Sequence, residues 1–92
     1  MAHFVLTYAY NDTPLRAERR DDHLAHLDAL HSEGALVLAG PLADRTGGII
    51  ILSAEDEAAA QQLVERDPYT KLDVTKDREL REWTITVGSL AQ

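Results

Sequence analysis

The stretch Gly47-Gly48-Ile49-Ile50-Ile51-Leu52 decides how this chain folds. Four large aliphatic residues in a row, three of them β-branched, predict a β-strand over 49–52, opened by the two glycines. Successive side chains of a strand point to opposite faces, so this strand is apolar on both sides. Strands of that kind lie within sheets that are covered on both faces.

The residues before this strand predict a strand, a helix and another strand. Residues 35–40 form the adjacent strand, and Pro41 either ends it or places it at a sheet edge, because proline cannot donate to a ladder. A helix is expected from about 15 to 33, with Gly34 supplying its left-handed stop. The β-forming run at 3–10 predicts the first strand.

The residues after this strand predict one more helix and one more strand. Ser53 and Asp56, spaced as in a capping box, start the helix, which ends at Asp67 because the residue before proline avoids the α region. Residues 68–76 are expected to be irregular or a short helical turn. The last strand is expected over 80–87, with Trp83, Ile85 and Val87 on one face.

The predicted element order is β-α-β-β-α-β. This order favours an α+β, ferredoxin-like fold, with a four-stranded antiparallel sheet and two helices on one face. The other face would hold the apolar residues of 36–39 and 49–52 in water. Leaving four to six such side chains wet costs about 6–15 kcal/mol, which is comparable to the whole stability of a small domain. We therefore expect a homodimer with sheets packed face to face. The alternative is a monomer with an exposed apolar sheet.

Size and composition exclude several classes of function. The 92 residues are expected to form one domain, 1–92, and they carry a net charge of −7, with 16 acidic and 9 basic residues. Such acidity disfavours nucleic acid as a partner. No apolar run reaches the ~20 residues that cross a bilayer, so no membrane partner is expected and the cytoplasm is the expected location. The absence of cysteine excludes disulfides and thiolate metal sites.

His23 is the leading candidate for acid/base chemistry. It shares one helical stripe with Leu27, Leu30 and Gly34, so its imidazole points at the core or at a cavity in it. Histidine exchanges protons near neutral pH, which suits a general acid or base. A core histidine satisfied by a carbonyl or a carboxylate is the alternative.

Asp67 is the second candidate. It is either a turn residue before Pro68 or a carboxylate that orients a histidine, as in catalytic triads. A carboxylate is unfavourable at the end of a helix, where the macrodipole is negative, and an orienting role would explain its presence there. The sequence does not show whether Asp67 meets His23.

Four further residues are candidates for binding a substrate. Arg20, one turn before His23, could hold a carboxylate with its guanidinium fork, or it could be a solvated surface arginine. Gly40 and Pro41 could admit a ligand close to the backbone, or simply end a strand. Tyr69, like Trp83, could form the wall of a pocket or belong to the core.

Metal and nucleotide sites are not expected. The pair His23-x-x-His26, with Asp22 nearby, provides too few ligands of matched geometry for a dependable metal site. Gly47-Gly48 precedes a strand and not a helix, so the phosphate-binding loop is missing. We therefore predict no metal and no cofactor.

Several motifs, taken together and in order, resemble the YciI-like (YCII-related) family. They span nearly the whole chain and comprise Arg20-x-x-His23-Leu24, Gly34-Ala35-Leu36, Ala39-Gly40-Pro41-Leu42, Gly48-Ile49, Asp67-Pro68-Tyr69 and a later strand with Trp83. The stretch 71–78 departs from the pattern, since it lacks the glycine that many members carry after the tyrosine.

The resemblance implies a dimeric α+β barrel with an active site built from a histidine and an aspartate, which correspond here to His23 and Asp67. Some relatives resemble muconolactone isomerases, and one branch removes chloride from a chlorinated hydroxyhydroquinone. The expected function is thus that of a small cofactor-independent isomerase or lyase acting on a small aromatic or lactone substrate. The alternative is a non-catalytic dimeric module that binds a small ligand or supports a structure.

Overall fold

A computed structural model describes residues 1–91 as one antiparallel four-stranded sheet, in the order β2-β3-β1-β4, with the helices packed on one face. The strands are β1 (Ala2–Tyr10), β2 (Leu36–Pro41), β3 (Gly47–Ala54) and β4 (Thr75–Trp83), and the helices are α1 (Leu15–Glu18), α2 (Arg20–Ser32), α3 (Glu57–Glu65) and α4 (Pro68–Lys71). The predicted ferredoxin-like α+β fold is confirmed.

The aliphatic strand β3 lies inside the sheet, between β1 and β2. Its pairing with β1 brings Leu52 opposite Phe4 and Ile50 opposite Leu6, and these four side chains point toward the helices. Phe4 and Leu52 are at most 2 % exposed, so the core of the protein lies between this face and the helices. Burial of this kind contributes roughly 1.5–3 kcal/mol per large apolar side chain.

The prediction of a single helix over 15–33 is wrong, because the helix is interrupted at Arg19. The backbone of Arg19 lies at φ −107° and ψ 11°, outside helical geometry, and separates α1 from α2. The predicted stop at Gly34 is confirmed, with φ at +81°. The N–H of Gly34 donates to the carbonyl of His31, and the N–H of Ala35 donates to that of Leu30, which is a Schellman end.

The capping box expected at Ser53 is also wrong. Ser53 still belongs to β3, where its backbone pairs with β1. Asp56 is the cap residue itself, since its carboxylate accepts the backbone N–H of Ala59 at 2.8 Å and α3 begins at the next residue. Pairing with a neighbouring strand therefore carries β3 farther than its apolar run suggests.

The last strand begins and ends earlier in the sequence than the predicted range of 80–87. β4 runs over 75–83, so Thr84 to Val87 lie beyond the sheet, and the shared face predicted for 83–87 is wrong: Ile85 is 7 % exposed and Val87 is 88 % exposed. An extra residue bulges from β4 near Asp77, whose φ is +52°. The polar stretch 75–79 pairs as an edge strand, which needs no apolar pattern.

The sheet face away from the helices, which we call the open face, is apolar. Val5 and Ile51 pair at its centre, and exposed large side chains surround them, namely Leu38 (56 %), Trp83 (45 %) and Ile49 (37 %). This face and residues 85–90 enclose a concavity of about 1120 Å³. Within the described residues, no helix combines the length and the apolar character needed to cross a bilayer.

Candidate active site

His23 and Asp67 meet in the folded chain although 44 residues separate them. The Nδ1 atom of His23 lies 2.8 Å from Oδ1 and 2.9 Å from Oδ2 of Asp67. The two side chains are only 8 % and 7 % exposed, so the contact is shielded from water. The sequence left this encounter open, and the packing of α2 against α4 brings it about.

The contact with Asp67 assigns distinct roles to the two ring nitrogens of His23. A carboxylate accepts hydrogen bonds, so Nδ1 carries the proton that points at Asp67. The neutral ring then keeps its lone pair on Nε2, which is the nitrogen able to accept a proton from a ligand. The adjacent carboxylate would also stabilise the imidazolium ion formed by that transfer.

Asp67 is itself held in place by a second structural role. Its Oδ1 accepts the backbone N–H of Tyr69 at 2.9 Å, which makes Asp67 the N-cap of α4, with Pro68 as the first helical residue. The conflict expected between this carboxylate and the end of α3 is therefore offset by the start of the next helix. The cap fixes the carboxylate at the position from which it contacts His23.

Tyr69 packs against one face of the His23 imidazole. Its ring is stacked on that of His23, with centroids 3.9 Å apart and planes 2° from parallel. The Tyr69 hydroxyl donates to the backbone carbonyl of Arg16, which ties the stack to α1. Burial, and secondarily the nearby Tyr10, raise the pKa of the Tyr69 phenol, so it remains a neutral hydrogen-bond donor at physiological pH.

A cleft of about 450 Å³ opens beside this stack, between α1 and α2 and the end of β2. The predicted residues His23, Arg20, Gly40, Pro41 and Tyr69 all line the cleft, and Asp67 lies behind His23. The glycine and the proline end the edge strand β2, as expected from the sequence. Trp83, by contrast, borders the concavity of the open face.

Among the lining residues that sequence reasoning missed, four are charged or aromatic, namely Tyr8, Tyr10, Arg16 and Arg45. Arg16 holds its guanidinium carbon 3.5 Å from the ring centroid of Tyr10 and donates from Nη1 to the Arg45 carbonyl at 3.1 Å. The alternation of Tyr8 and Tyr10 along β1 could have predicted a shared aromatic face. Nothing in the sequence brings Arg45 to the site, because its loop must first fold over the helices.

Tyr8 borders the cleft from the sheet, and Gly48 leaves room for its ring. The two residues are paired across β1 and β3, and a Cβ at position 48 would overlap the Tyr8 hydroxyl. Burial, reinforced by a hydrogen bond with Tyr10, raises the pKa of the Tyr8 phenol above its usual range. Tyr8 is thus another neutral hydroxyl beside His23.

The cleft differs from the other large concavity of the protein in its charged lining residues. The concavity of the open face is larger, but Arg81 and Glu82 are its only charged lining residues within the described chain. Residues 1–91 contain no group of three side chains suited to holding a metal ion. Residues 71–78, where the sequence departs from the family pattern, do not border the cleft, and the loop carrying Arg45 does.

Comparisons with known proteins agree with this architecture. The structure is similar to that of the 5-chloro-2-hydroxyhydroquinone dehydrochlorinase of Burkholderia phenoliruptrix AC1100, which was solved with 2,5-dihydroxybenzoquinone. The two match at a TM-score of 0.73 and 24 % sequence identity, over 97 % of this chain and 99 % of that one. A candidate antibiotic biosynthesis monooxygenase from Bacteroides thetaiotaomicron VPI-5482 matches at a TM-score of 0.58 and 20 % identity, covering 99 % and 96 %. These similarities establish the fold, a four-stranded antiparallel α+β arrangement.

Sequence comparison gives the family. The chain is 38 % identical over 69 residues to the proteins named YciI of Escherichia coli O6:H1 and of Shigella flexneri, covering 64 % of this chain and 70 % of each relative. Residues 1–84 match the family described as the YCII-related domain. The chain therefore belongs to the YCII-related family, as its motifs indicated.

Proposed function

We propose that this protein is a small cofactor-independent enzyme of the isomerase or lyase type. His23 acts as the general acid and base, and Asp67 holds its ring in the reactive tautomer. One observation carries the proposal: the Nδ1 atom of His23 lies 2.8 Å from the Asp67 carboxylate while the same imidazole lines a cleft of about 450 Å³. A catalytic base needs both an orienting partner and access to a substrate.

The proposed chemistry requires only proton transfer. In an isomerisation, Nε2 of His23 takes a proton from a carbon next to a carbonyl and returns it to another carbon of the same molecule. In an elimination, the base takes a proton, the released electron pair forms a new π bond, and chloride leaves with the electrons of the broken C–Cl bond. Neither reaction needs an external oxidant or reductant. A positioned base of this kind accelerates such steps by about 10²–10⁴-fold.

The relatives support the lyase form of this proposal. The dehydrochlorinase that shares the fold acts on a chlorinated hydroxyhydroquinone and was solved with a flat quinone. The cleft described here offers aromatic rings from Tyr10 and Tyr69, together with neutral hydroxyls, to such a ring. A small aromatic compound is therefore the proposed class of substrate, with Arg20 and the backbone at Gly40 and Pro41 as its anchors.

We also propose that the chain is a cytoplasmic homodimer that pairs through its open face. Leu38, Ile49 and Trp83 are the large apolar side chains that a second copy would cover. Their burial contributes about 1.5–3 kcal/mol each. The competing function is a dimeric module that binds a small ligand without catalysis. The near-complete burial of His23, which is 6 % exposed, is the observation that favours this alternative.

The test combines binding and turnover. Thermal-shift screening of quinones, chlorinated hydroxyquinols and lactones on the wild type identifies compounds that bind the protein. Each compound that raises Tm is then incubated with the wild type, with His23→Asn and with His31→Asn, and the product is followed by absorbance and by chloride release. His31 is an exposed histidine at the end of the same helix and serves as the matched control.

We expect turnover by the wild type and by His31→Asn, and a loss of at least 100-fold in His23→Asn. Equal turnover by all three proteins would overturn the assignment of His23. Compounds that bind the wild type and are never converted would favour the non-catalytic module.

A further inference from the structure

We infer that the cleft binds a substrate that carries an anionic group, and that Arg45 determines this preference. The inference rests on the proposed function, since it concerns the ligand of the same cleft. It extends the expectation from the sequence, in which Arg20 or the backbone near Gly40 anchors the anion. The observation behind it is the charge of the cleft wall.

The cleft wall is cationic in a strongly acidic protein. The chain has a net charge of −7. Of the residues within 1–91 that line the cleft, three are arginines (Arg16, Arg20 and Arg45) and none is an aspartate or glutamate. The carboxylate of Asp67, which contacts the lining residue His23, also accepts the backbone N–H of Tyr69. A cleft lined by positive charges attracts an anionic ligand, and no acidic lining residue within the described chain repels it.

The backbone of Arg45 is a second, independent observation. Its φ is +63°, in the left-handed region that residues other than glycine and asparagine rarely adopt. The loop is held in this shape because its Leu42 N–H donates to the Gly47 carbonyl at 2.8 Å and the Arg45 N–H donates to the Leu42 carbonyl at 2.9 Å. Such conformations are energetically costly and are frequent at active sites and ligand-binding loops.

The acidic neighbour of Arg45 is occupied elsewhere. The Asp44 carboxylate accepts the hydroxyl of Thr46 at 2.7 Å and its backbone N–H at 3.0 Å. The Thr46 N–H and hydroxyl lower the pKa of Asp44. Asp44 therefore shapes the loop, and Arg45 is the residue of this loop that lines the cleft.

Arg16 connects this loop to the aromatic wall. Its Nη1 donates to the Arg45 carbonyl, and its guanidinium carbon lies 3.5 Å from the centroid of the Tyr10 ring. A planar ligand between these groups and the Tyr69–His23 stack would present its ring to aromatic faces and its charge to guanidinium groups. Guanidinium forks bind a carboxylate through two parallel hydrogen bonds, and they also donate to the single oxygen of a phenolate. The class of ligand is thus a small flat ring with a carboxylate or an acidic phenolate.

The test uses a matched pair of probes, 2,5-dihydroxybenzoate and its neutral amide, 2,5-dihydroxybenzamide. Isothermal titration measures the affinity of each for the wild type at low salt and at high salt. We expect the acid to bind at least 10-fold more tightly than the amide at low salt. The difference should shrink as salt screens the charges.

Two variants test whether the charge of Arg45 is responsible for the preference for the acid. Arg45→Asn removes the charge and places a residue that tolerates the left-handed backbone, so its Tm should equal or exceed that of the wild type. We expect it to weaken the acid about 10-fold, the size of one charge-assisted hydrogen bond, and to leave the amide unchanged. Arg66→Gln, an exposed residue at the end of α3, is the matched control and should affect neither probe.

The outcomes separate this inference from the proposed function. Equal affinity for acid and amide, or an Arg45→Asn variant that binds the acid as the wild type does, would overturn the inference and leave the catalytic role of His23 intact. His23→Asn should still bind the acid, because the arginines remain. Selective binding of the acid without turnover of any compound would support the inference while refuting catalysis.

Discussion

The two faces of this sheet are built from the same strands and differ in packing, exposure and polarity. The face toward the helices is closely packed, and at its end polar and aromatic side chains surround His23 and Asp67. The open face is apolar, and Leu38 remains 56 % exposed there. Because side chains alternate along a strand, β1 supplies Tyr8 to one face and Val5 to the other.

The larger of the two cavities is not the one beside the His23–Asp67 pair. The larger concavity, of about 1120 Å³, lies on the open face, where no acid/base pair is found within residues 1–91. The smaller cleft combines a histidine, its carboxylate partner and three arginines. We interpret the open face as an interface for a second copy and the cleft as the reactive site. Four predictions test this division.

The largest expected effect concerns Asp67. Asparagine keeps an oxygen for the N–H of Tyr69, so Asp67→Asn should preserve the cap of α4 and most of the stability. Its amide N–H₂ would donate to Nδ1 of His23 and move the ring proton to Nε2, which removes the base. We expect turnover of a cleft substrate to fall about 10²–10⁴-fold. Turnover and Tm, measured on the same preparation, check this, and unchanged turnover would contradict the orienting role.

The second prediction concerns the open face. Leu38→Glu places a charge among apolar side chains, and we expect it to weaken the proposed dimer at least ~30-fold, because residues that anchor an interface contribute about 2 kcal/mol or more. Light scattering should find twice the 10.2 kDa chain mass for the wild type and the single mass for the variant. Leu72→Glu, at an exposed leucine (42 %) after α4, is the control and should remain dimeric. A monomeric wild type would refute the division of the faces.

The third prediction compares two glycines, of which only Gly48 has atoms close to the position of an added Cβ. A Cβ at position 48 would lie 2.9 Å from the Gly40 carbonyl and overlap Tyr8, so Gly48→Ala should lower the free energy of unfolding by about 1–3 kcal/mol. A Cβ at position 40 has no atom within 4 Å, so Gly40→Ala should change stability by less than about 0.5 kcal/mol. Urea denaturation measures both values. Similar losses in the two variants would contradict the described contact between Gly48 and Tyr8.

The smallest expected effect is a pH dependence that Tyr8 produces. Burial raises the pKa of Tyr8 in the folded chain, whereas an unfolded tyrosine titrates near its usual value of about 10. The folded state then retains a proton that the unfolded state releases. Its stabilising contribution is complete below pH 10 and is lost above it, by at most about 1.4 kcal/mol per pH unit for one group.

Tyr8→Phe tests this dependence because it removes the titrating group and keeps the ring. Urea denaturation at pH 8, 9, 10 and 11 should give a shallower decline above pH 10 for the variant than for the wild type. The comparison uses slopes, so the hydrogen bond lost with the hydroxyl does not affect it. Parallel declines would show that the Tyr8 phenol titrates alike in both states.

Local patterns predicted most of the architecture. The aliphatic run at 49–52, the turn residues between elements and Gly34 specified strands and a helix end, because these signals act through nearest neighbours and backbone geometry. The failures lie where tertiary contact overrides the local pattern. β4 forms over the polar residues 75–79 because β1 offers an unpaired edge, and Ser53 extends β3 for the same reason.

The candidate site was predictable to the extent that single residues stand out. His23 was notable as an imidazole on an apolar stripe, and Arg20 and Tyr69 followed from their spacing and from the resemblance to the YCII-related family. Arg45 was not predictable. Its side chain is one of many surface arginines until the β2–β3 loop folds against α1.

The sequence by itself determined the order of the elements, the apolar sheet and the family, since each depends on residue identity and short-range spacing. Only the tertiary structure decided that His23 meets Asp67, that Tyr69 stacks on the ring and that three arginines share one cleft. These contacts join residues up to 53 positions apart, and their geometry depends on how whole helices pack on the sheet. A pattern of neighbouring residues carries no information about distances of that kind.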